Sequence, residues 1–277
     1  MRVFLYTSFA LVAFAFNSIL CRMALGKDEI DAASFTAIRL LSGAVTLSSL
    51  LLLRNKKRDV LGAGNWRSAF FLFAYAICFS FAYLGLTTAT GALILFGCVQ
   101  MTMIGISILK GERPSRWEWI GLAVAIAGLF YLVFPGLTSP PLMSAVLMAA
   151  AGMAWGLYTL RGRSSKEPLA DTTGNFIRSL PMVALAAMPF LSQIHLSNRG
   201  IVLAAVSGSV ASGIGYTVWY SALKYHTATR AAILQLAVPV IAAAGGIVFL
   251  SETADLRLVI ASVLILGGIG LTIAGRK

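Results

Sequence analysis

The chain has 277 residues, 58% of them hydrophobic and only 12% charged, with a mean hydropathy of +0.86. A soluble domain is about a quarter charged, so this composition excludes a water-facing globule and points to the lipid bilayer as solvent. The formal charge of +12 does not indicate a nucleic-acid partner, because the basic residues lie in short loops between apolar runs and form no continuous face.

A membrane-crossing helix needs about 20 apolar residues. The sequence predicts ten: Val3–Leu20, Ala32–Leu53, Ala69–Leu86, Gly91–Leu109, Trp117–Phe134, Pro141–Leu160, Thr173–Leu191, Ile201–Leu223, Ala231–Leu250 and Leu256–Ala274. The first begins as a signal peptide would, but it lacks a small-x-small cleavage site and nine spans follow it, so it is expected to be a mature helix. Cys21, Cys78 and Cys98 fall inside apolar runs, with neither metal-site nor disulfide spacing, and are expected to pack as small residues. No metal or other cofactor is expected.

The loops set the orientation. With the N-terminus inside, the inner loops hold Arg54, Lys56, Lys57, Arg58, Arg67, Lys110, Arg113, Arg116, Arg161, Arg163, Lys166, Lys224 and Arg230, together with Arg2, Arg276 and Lys277 at the ends. The outer loops hold only Arg22, Lys27, Arg199 and Arg257. Basic loops stay on the cytoplasmic side during insertion. This bias supports the ten-helix count and predicts both termini on the cytoplasmic side; the expected location is a bacterial inner membrane.

The chain also repeats itself at a shift of about 140 residues. Ala82 falls on Ala222, Thr87 on Thr227, Ala92 on Ala232, Gly105 on Gly245, Glu112 on Glu252, Ile120 on Ile260 and Gly128 on Gly268. The polar break around Glu112 and its counterpart Ser251-Glu252-Thr253 are the informative part, because apolar identities arise easily by chance. Two five-helix halves follow, residues 1–136 and 137–277. Five is odd, so the second half is inserted upside down relative to the first. An inverted repeat is an architecture of secondary transporters, with the substrate near midplane between the halves.

The string WYSALKYHTATRAAILQLAVPVIAAAGGIVFLSE, from Trp219 to Glu252, together with Asn17, Arg39, Trp155-Gly156 and Arg178, resembles the drug/metabolite transporter superfamily in its two-repeat EamA-type branch. The resemblance covers nearly the whole chain. It implies an all-α integral membrane fold of ten helices around a central cavity, lined mainly by helices 1 to 4 and 6 to 9, with helices 5 and 10 at the periphery. It further implies kinship with bacterial amino-acid exporters, including those for aromatic amino acids. The first half departs from the pattern, with Phe14-Ala15 where Trp-Gly is usual and Val99 where Pro239 stands in the second half.

Within that frame, the substrate-binding candidates are Asn17, Tyr75, Phe79, Gln100, Trp155, Tyr216, Trp219 and Gln235. Amide groups are costly in lipid unless they face a cavity or another helix, and aromatic walls with a few polar contacts suit a small amphipathic solute. Tyr83, Tyr158 and Tyr220 lie near helix ends, where such residues form interfacial belts, and are set aside on that ground. Arg39 and Arg178, charges inside spans, are expected to snorkel to the headgroups, or to hold an anionic group or a carbonyl cluster at opposite mouths of the cavity as a gate pair. Pro239 removes a helix hydrogen bond and is expected to act as a hinge. All ten acidic residues fall in loops or near helix ends, so uncoupled facilitated export of amino acids is expected, with proton-coupled drug or metabolite antiport as the alternative. An intramembrane enzyme is disfavoured, since Gly-x-Ser-Gly, His-Glu-x-x-His and paired intramembrane Asp residues are all missing. A channel is disfavoured by the inverted repeat and the lack of a continuous polar helix face. A small-molecule substrate and the lipid bilayer are the expected partners, and a monomer is expected, because ten helices enclose a cavity alone.

Overall fold

The computed structural model describes residues 2–53, 63–109, 115–134, 139–226, 234–235 and 237–274. Among them the chain is an all-α bundle of ten helices: α1 Arg2–Leu25, α2 Ala32–Leu53, α3 Trp66–Ala82, α4 Thr88–Leu109, α5 Arg116–Val133, α6 Leu142–Gly162, α7 Pro168–Ala187, α8 spanning Asn198–Leu223, α9 Ala237–Leu250 and α10 Leu256–Ala274. Six of these are long and apolar enough to cross a membrane, and α3, α5, α9 and α10 hold shorter apolar stretches. The loop around Glu112, the first part of the expected ninth span and the boundary at 136/137 lie outside the described residues.

The polar residues between the apolar runs start the helices. Asp31, Asn65, Ser197 and Asp255 each accept a backbone N–H three residues on, at 2.8 to 2.9 Å, and so cap α2, α3, α8 and α10. Pro168 opens α7, at a position where its missing N–H costs nothing. Outward side chains such as Leu53, Leu109, Phe130 and Val248 are apolar and exposed, which is the lipid-facing surface a bilayer protein requires.

The helix neighbours are symmetric under exchange of α1–α5 with α6–α10. The pair α1–α8 maps on α3–α6, α1–α9 on α4–α6 and α2–α8 on α3–α7, while α2–α7, α4–α9 and α5–α10 map on themselves. This is the arrangement of two inverted repeats. The pair α5–α10 packs mainly on itself, with Gly128 and Gly268 at the crossing. Phe14 and Trp155, which hold corresponding places in α1 and α6, meet edge-on across the centre at 5.4 Å.

One feature of α8 is not legible in the sequence. Ser207–Ile214 winds as a π-helix between two α-helical segments. Wide turns of this kind occur often at functional sites. Here the run presses against α2: a Cβ on Gly208 would collide with the Arg39 carbonyl, and one on Gly43 would lie 3.0 Å from the Gly208 carbonyl. Small residues let the two backbones touch.

Candidate functional site

The centre of the bundle is a cluster of rings around one cation. Arg39 of α2 is 1% exposed. Its Nε donates to Ser212 Oγ at 3.0 Å, and its Nη2 donates to Tyr75 OH at 3.0 Å and Tyr216 OH at 2.8 Å. The guanidinium carbon lies 4.9 Å from the Phe79 ring centre and 5.0 Å from that of Tyr75, within cation–π range. Asn17 Nδ2 donates to Tyr75 OH at 3.1 Å, and Ser207 Oγ donates to Asn17 Oδ1. Thus α1, α2, α3 and α8 meet in one polar knot, and the π-helical run supplies two of its hydroxyls.

Trp155 of α6 closes the knot, 4.5 Å from Tyr216 and 5.0 Å from Tyr75 between ring centres. Phe14 packs edge-on against Trp155, Tyr216 and Trp219. The cluster therefore gathers Asn17, Arg39, Tyr75, Phe79, Trp155, Tyr216 and Trp219. Gln100 on α4 and Gln235 are fully buried, while the hydrogen bonds around Arg39 run to other residues. Pro239 is buried in α9.

Two expectations change. Tyr83, Tyr158 and Tyr220 are not belt residues; all three are at most 3% exposed. They extend the cluster into a ladder, Tyr83–Phe79–Tyr75–Trp155–Tyr158–Tyr220, with successive ring centres 4.8 to 5.7 Å apart. Their nearness to helix ends was the misleading signal, since helix packing covers those ends. The two arginines are also unlike in place. Arg39 lies at the centre and not at a mouth, whereas Arg178 is half-buried, donates to the Ala63 and Gly174 carbonyls and sits over Trp66. Phe14, Ser207 and Ser212 escaped sequence reasoning as site residues. The departure at Phe14-Ala15 and the run SGSVASGIG were the available signals.

Each face of the bundle carries a cleft. On the face where α1 begins, a cleft of about 360 Å³ is lined by Ser68, Tyr158, Arg161, Asp171, Asn175 and Tyr220, a size typical of small-molecule sites, roughly 300–1,000 Å³. The Tyr158–Tyr220 pair lies between this cleft and Trp155. The opposite face carries a cleft of about 400 Å³, lined by Leu86, Thr87, Thr90, Thr253 and Asp255 among others, and beside it the halves are tied together. Both Glu252 carboxylate oxygens accept from Thr88 N at 2.9 Å, one accepts from Thr88 Oγ1 at 3.1 Å, and Arg22 Nε lies 3.6 Å away. Ser251 adopts a left-handed turn that returns Glu252 over α9, with Glu252 N donating to Gly246 O. A Cβ on Gly246 would collide with this carboxylate, so close packing accounts for that glycine. Beside it, Ile30 and Leu196 form a single antiparallel bridge, and Ser197 Oγ and Arg199 Nη1 both reach the Glu29 carboxylate. Among the described residues no group of three or more His, Cys, Asp or Glu side chains could hold a metal.

A sequence model of the EamA-like transporter family matches residues 1–134 and 142–274. The chain belongs to the EamA-like transporter family. It is 48% identical to an uncharacterized protein of Pseudomonas aeruginosa over 99% of this chain and 96% of that one. It is 28% identical to the threonine/homoserine exporter RhtA of Escherichia coli over 63% of this chain and 60% of that one. A probable amino-acid metabolite efflux pump of Salmonella typhimurium is 24% identical over 73% of this chain and 72% of its own. A crystal structure with a TM-score of 0.66 and 20% identity, covering 98% of this chain and 99% of the other, shares the fold. The protein is a bacterial multi-pass membrane transporter that moves small metabolites through a helical bundle.

Proposed function

We propose that this EamA-like transporter carries amino acids with apolar or aromatic side chains out of the cell, by alternating access and without a coupling ion. The observation that carries the reading is the buried knot of Asn17, Arg39, Tyr75, Trp155 and Tyr216 at the contact between the two halves. Ring faces suit an apolar side chain, while amide, hydroxyl and guanidinium groups suit the polar end of the same molecule. The names of the exporters from Escherichia coli and Salmonella typhimurium point the same way.

The mechanism follows from the two faces. With basic loops inside, both termini are cytoplasmic and the cleft at Arg161 and Asn175 faces the cytoplasm. Substrate enters past Asn175 and Arg161, and the Tyr158–Tyr220 pair parts to admit it to Trp155. The halves then rock, the Tyr pair closes, and the Glu252–Thr88 tie on the far face opens. None of the described acidic side chains enters the knot, so no carboxylate there is available to carry a proton. The working unit is a monomer in the inner membrane, a reading supported by the knot residues all lying on one chain.

The test is counterflow. Purified protein in liposomes is preloaded with unlabelled phenylalanine, methionine or threonine and given trace labelled substrate, with and without a pH gradient. Transient accumulation that ignores the gradient supports the reading. Accumulation that follows the gradient replaces it with proton-coupled antiport, and none with any amino acid refutes the substrate class.

A further inference from the structure

The knot at the centre has a surplus of hydrogen-bond donors. Arginine carries five N–H donors and no acceptor, and it stays protonated in proteins. Arg39 spends three of these on Ser212, Tyr75 and Tyr216, and its Nη1 has no partner. The Tyr75 oxygen already receives Asn17 Nδ2, Arg39 Nη2 and Tyr216 OH while carrying a proton of its own. The indole N–H groups of Trp155 and Trp219, 2% and 0% exposed, have no acceptor either. No acidic side chain pairs with Arg39 among the described residues. Two phenols, one serine and two ring faces solvate part of its charge and leave it uncancelled.

A buried cation without a counter-charge is among the most destabilising features a fold can retain. The missing component is by chemistry an anionic acceptor, and the surrounding rings require that it arrive on a molecule with an apolar body. We propose that Arg39 Nη1 is the anchor for the carboxylate of the transported molecule, with Trp155 Nε1 as the neighbouring donor and the Phe14, Tyr75, Phe79 and Tyr216 rings around the apolar part. The ligand class is the small monocarboxylate with an aromatic or aliphatic side chain. Arg39 is then a specificity-determining residue, and the acid is distinguished from its neutral amide at this one nitrogen. The assignment rests on the transport reading above but makes a separate demand on the protein.

Two measurements separate the claims. In the first, counterflow of phenylalanine is competed with phenylalanine, phenylalaninamide and 3-phenylpropanoate. A charge-assisted hydrogen bond is worth about 1.5–3 kcal/mol, so the amide is expected to compete about tenfold to a hundredfold more weakly than the acid. Arg39→Gln is expected to erase that preference, and Arg39→Lys to restore part of it. In the second, thermal unfolding of the detergent-purified protein is followed with 3-phenylpropanoate, its amide, or sodium chloride at matched ionic strength. Stabilisation by the carboxylate alone, lost in Arg39→Gln, is the expected result. If counterflow occurs but acid and amide compete equally, the anchor is refuted and the carrier stands. If the carboxylate stabilises but nothing shows counterflow, Arg39 is a carboxylate-binding group and the transport reading fails. Equal stabilisation by chloride overturns the assignment to a carboxylate. Should Arg39→Gln not fold, the acid-to-amide ratio of the wild-type protein decides.

Discussion

Glu252→Gln tests the tie between the halves at Thr88. The substitution keeps the side-chain shape and one acceptor oxygen but removes the charge. In the native protein the carboxylate accepts from Thr88 N with both oxygens at 2.9 Å and from Thr88 Oγ1 at 3.1 Å, at the N-terminus of α4, with Arg22 Nε at 3.6 Å. Hydrogen bonds to a charged group contribute about 1.5–3 kcal/mol and neutral ones about 0.5–1.5 kcal/mol. The ion pair is partly exposed and is discounted to roughly 0.2–1 kcal/mol. The tied state should lose about 2 kcal/mol, a shift of roughly thirtyfold toward the open state. Cys21 is a native reporter, since it precedes Arg22 and is fully buried. In a Cys78→Ser, Cys98→Ser background, a membrane-impermeant maleimide should label Cys21 on intact cells about thirty times faster in Glu252→Gln than with Glu252 intact. Rates equal within twofold would refute the tie as a determinant of access.

Further outcomes follow from the same geometry. Gly208→Ala should lower the melting temperature in detergent or prevent expression, because its Cβ meets the Arg39 carbonyl and Ser42 Oγ and overpacking costs about 1–3 kcal/mol; Gly105→Ala, with open space around it, should melt as wild type. Trp155→Ala should abolish counterflow and destabilise the protein by about 3–5 kcal/mol, whereas Trp155→Phe should keep most of the stability and weaken substrate binding, read as a raised half-saturation concentration. Pro239→Ala should lower transport at unchanged expression, and a wild-type rate from a well-folded variant would remove its hinge role. Burial pushes the Asp31 carboxyl up, but hydrogen bonds from Ser34 and the His195 amide outweigh it and hold the group below its ordinary value. A lowered folded-state value means that Asp31 contributes stability above the ordinary carboxylate range and loses it as pH falls through the folded value. Asp31→Asn should therefore flatten the acid side of the melting-temperature profile, and an unchanged profile would contradict the assignment.

Hydropathy made the ten helices and their inverted halves legible, because lipid leaves the backbone few options and the polar breaks double as caps. Several of the clustered residues were legible for a related reason: Asn17 and Trp155 are costly or bulky in mid-span and need a cause, whereas Arg39 read as a mouth residue. Three things were not. The π-helical run at Ser207–Ile214 depends on contact with α2, and nothing local in its small residues announces it. The burial of Tyr83, Tyr158 and Tyr220 depends on which neighbours cover the helix ends, which position along a span does not reveal. The contrast between Arg39 and Arg178 was hidden because the repeat gives them nearly equivalent places. Only packing sends one guanidinium into the ring cluster and the other to the Ala63 carbonyl.

The central claim is a site between the halves that opens to each side in turn, and two-sided accessibility tests it most directly. Ser212 hydrogen-bonds Arg39 and is buried, and cysteine is close to serine in size. In a background with Cys21, Cys78 and Cys98 replaced by serine, Ser212→Cys is exposed to an impermeant maleimide in right-side-out and in inside-out vesicles. Labelling is expected from both sides, slowed from both by a transported amino acid. Labelling from one side only, indifferent to substrate, would contradict it.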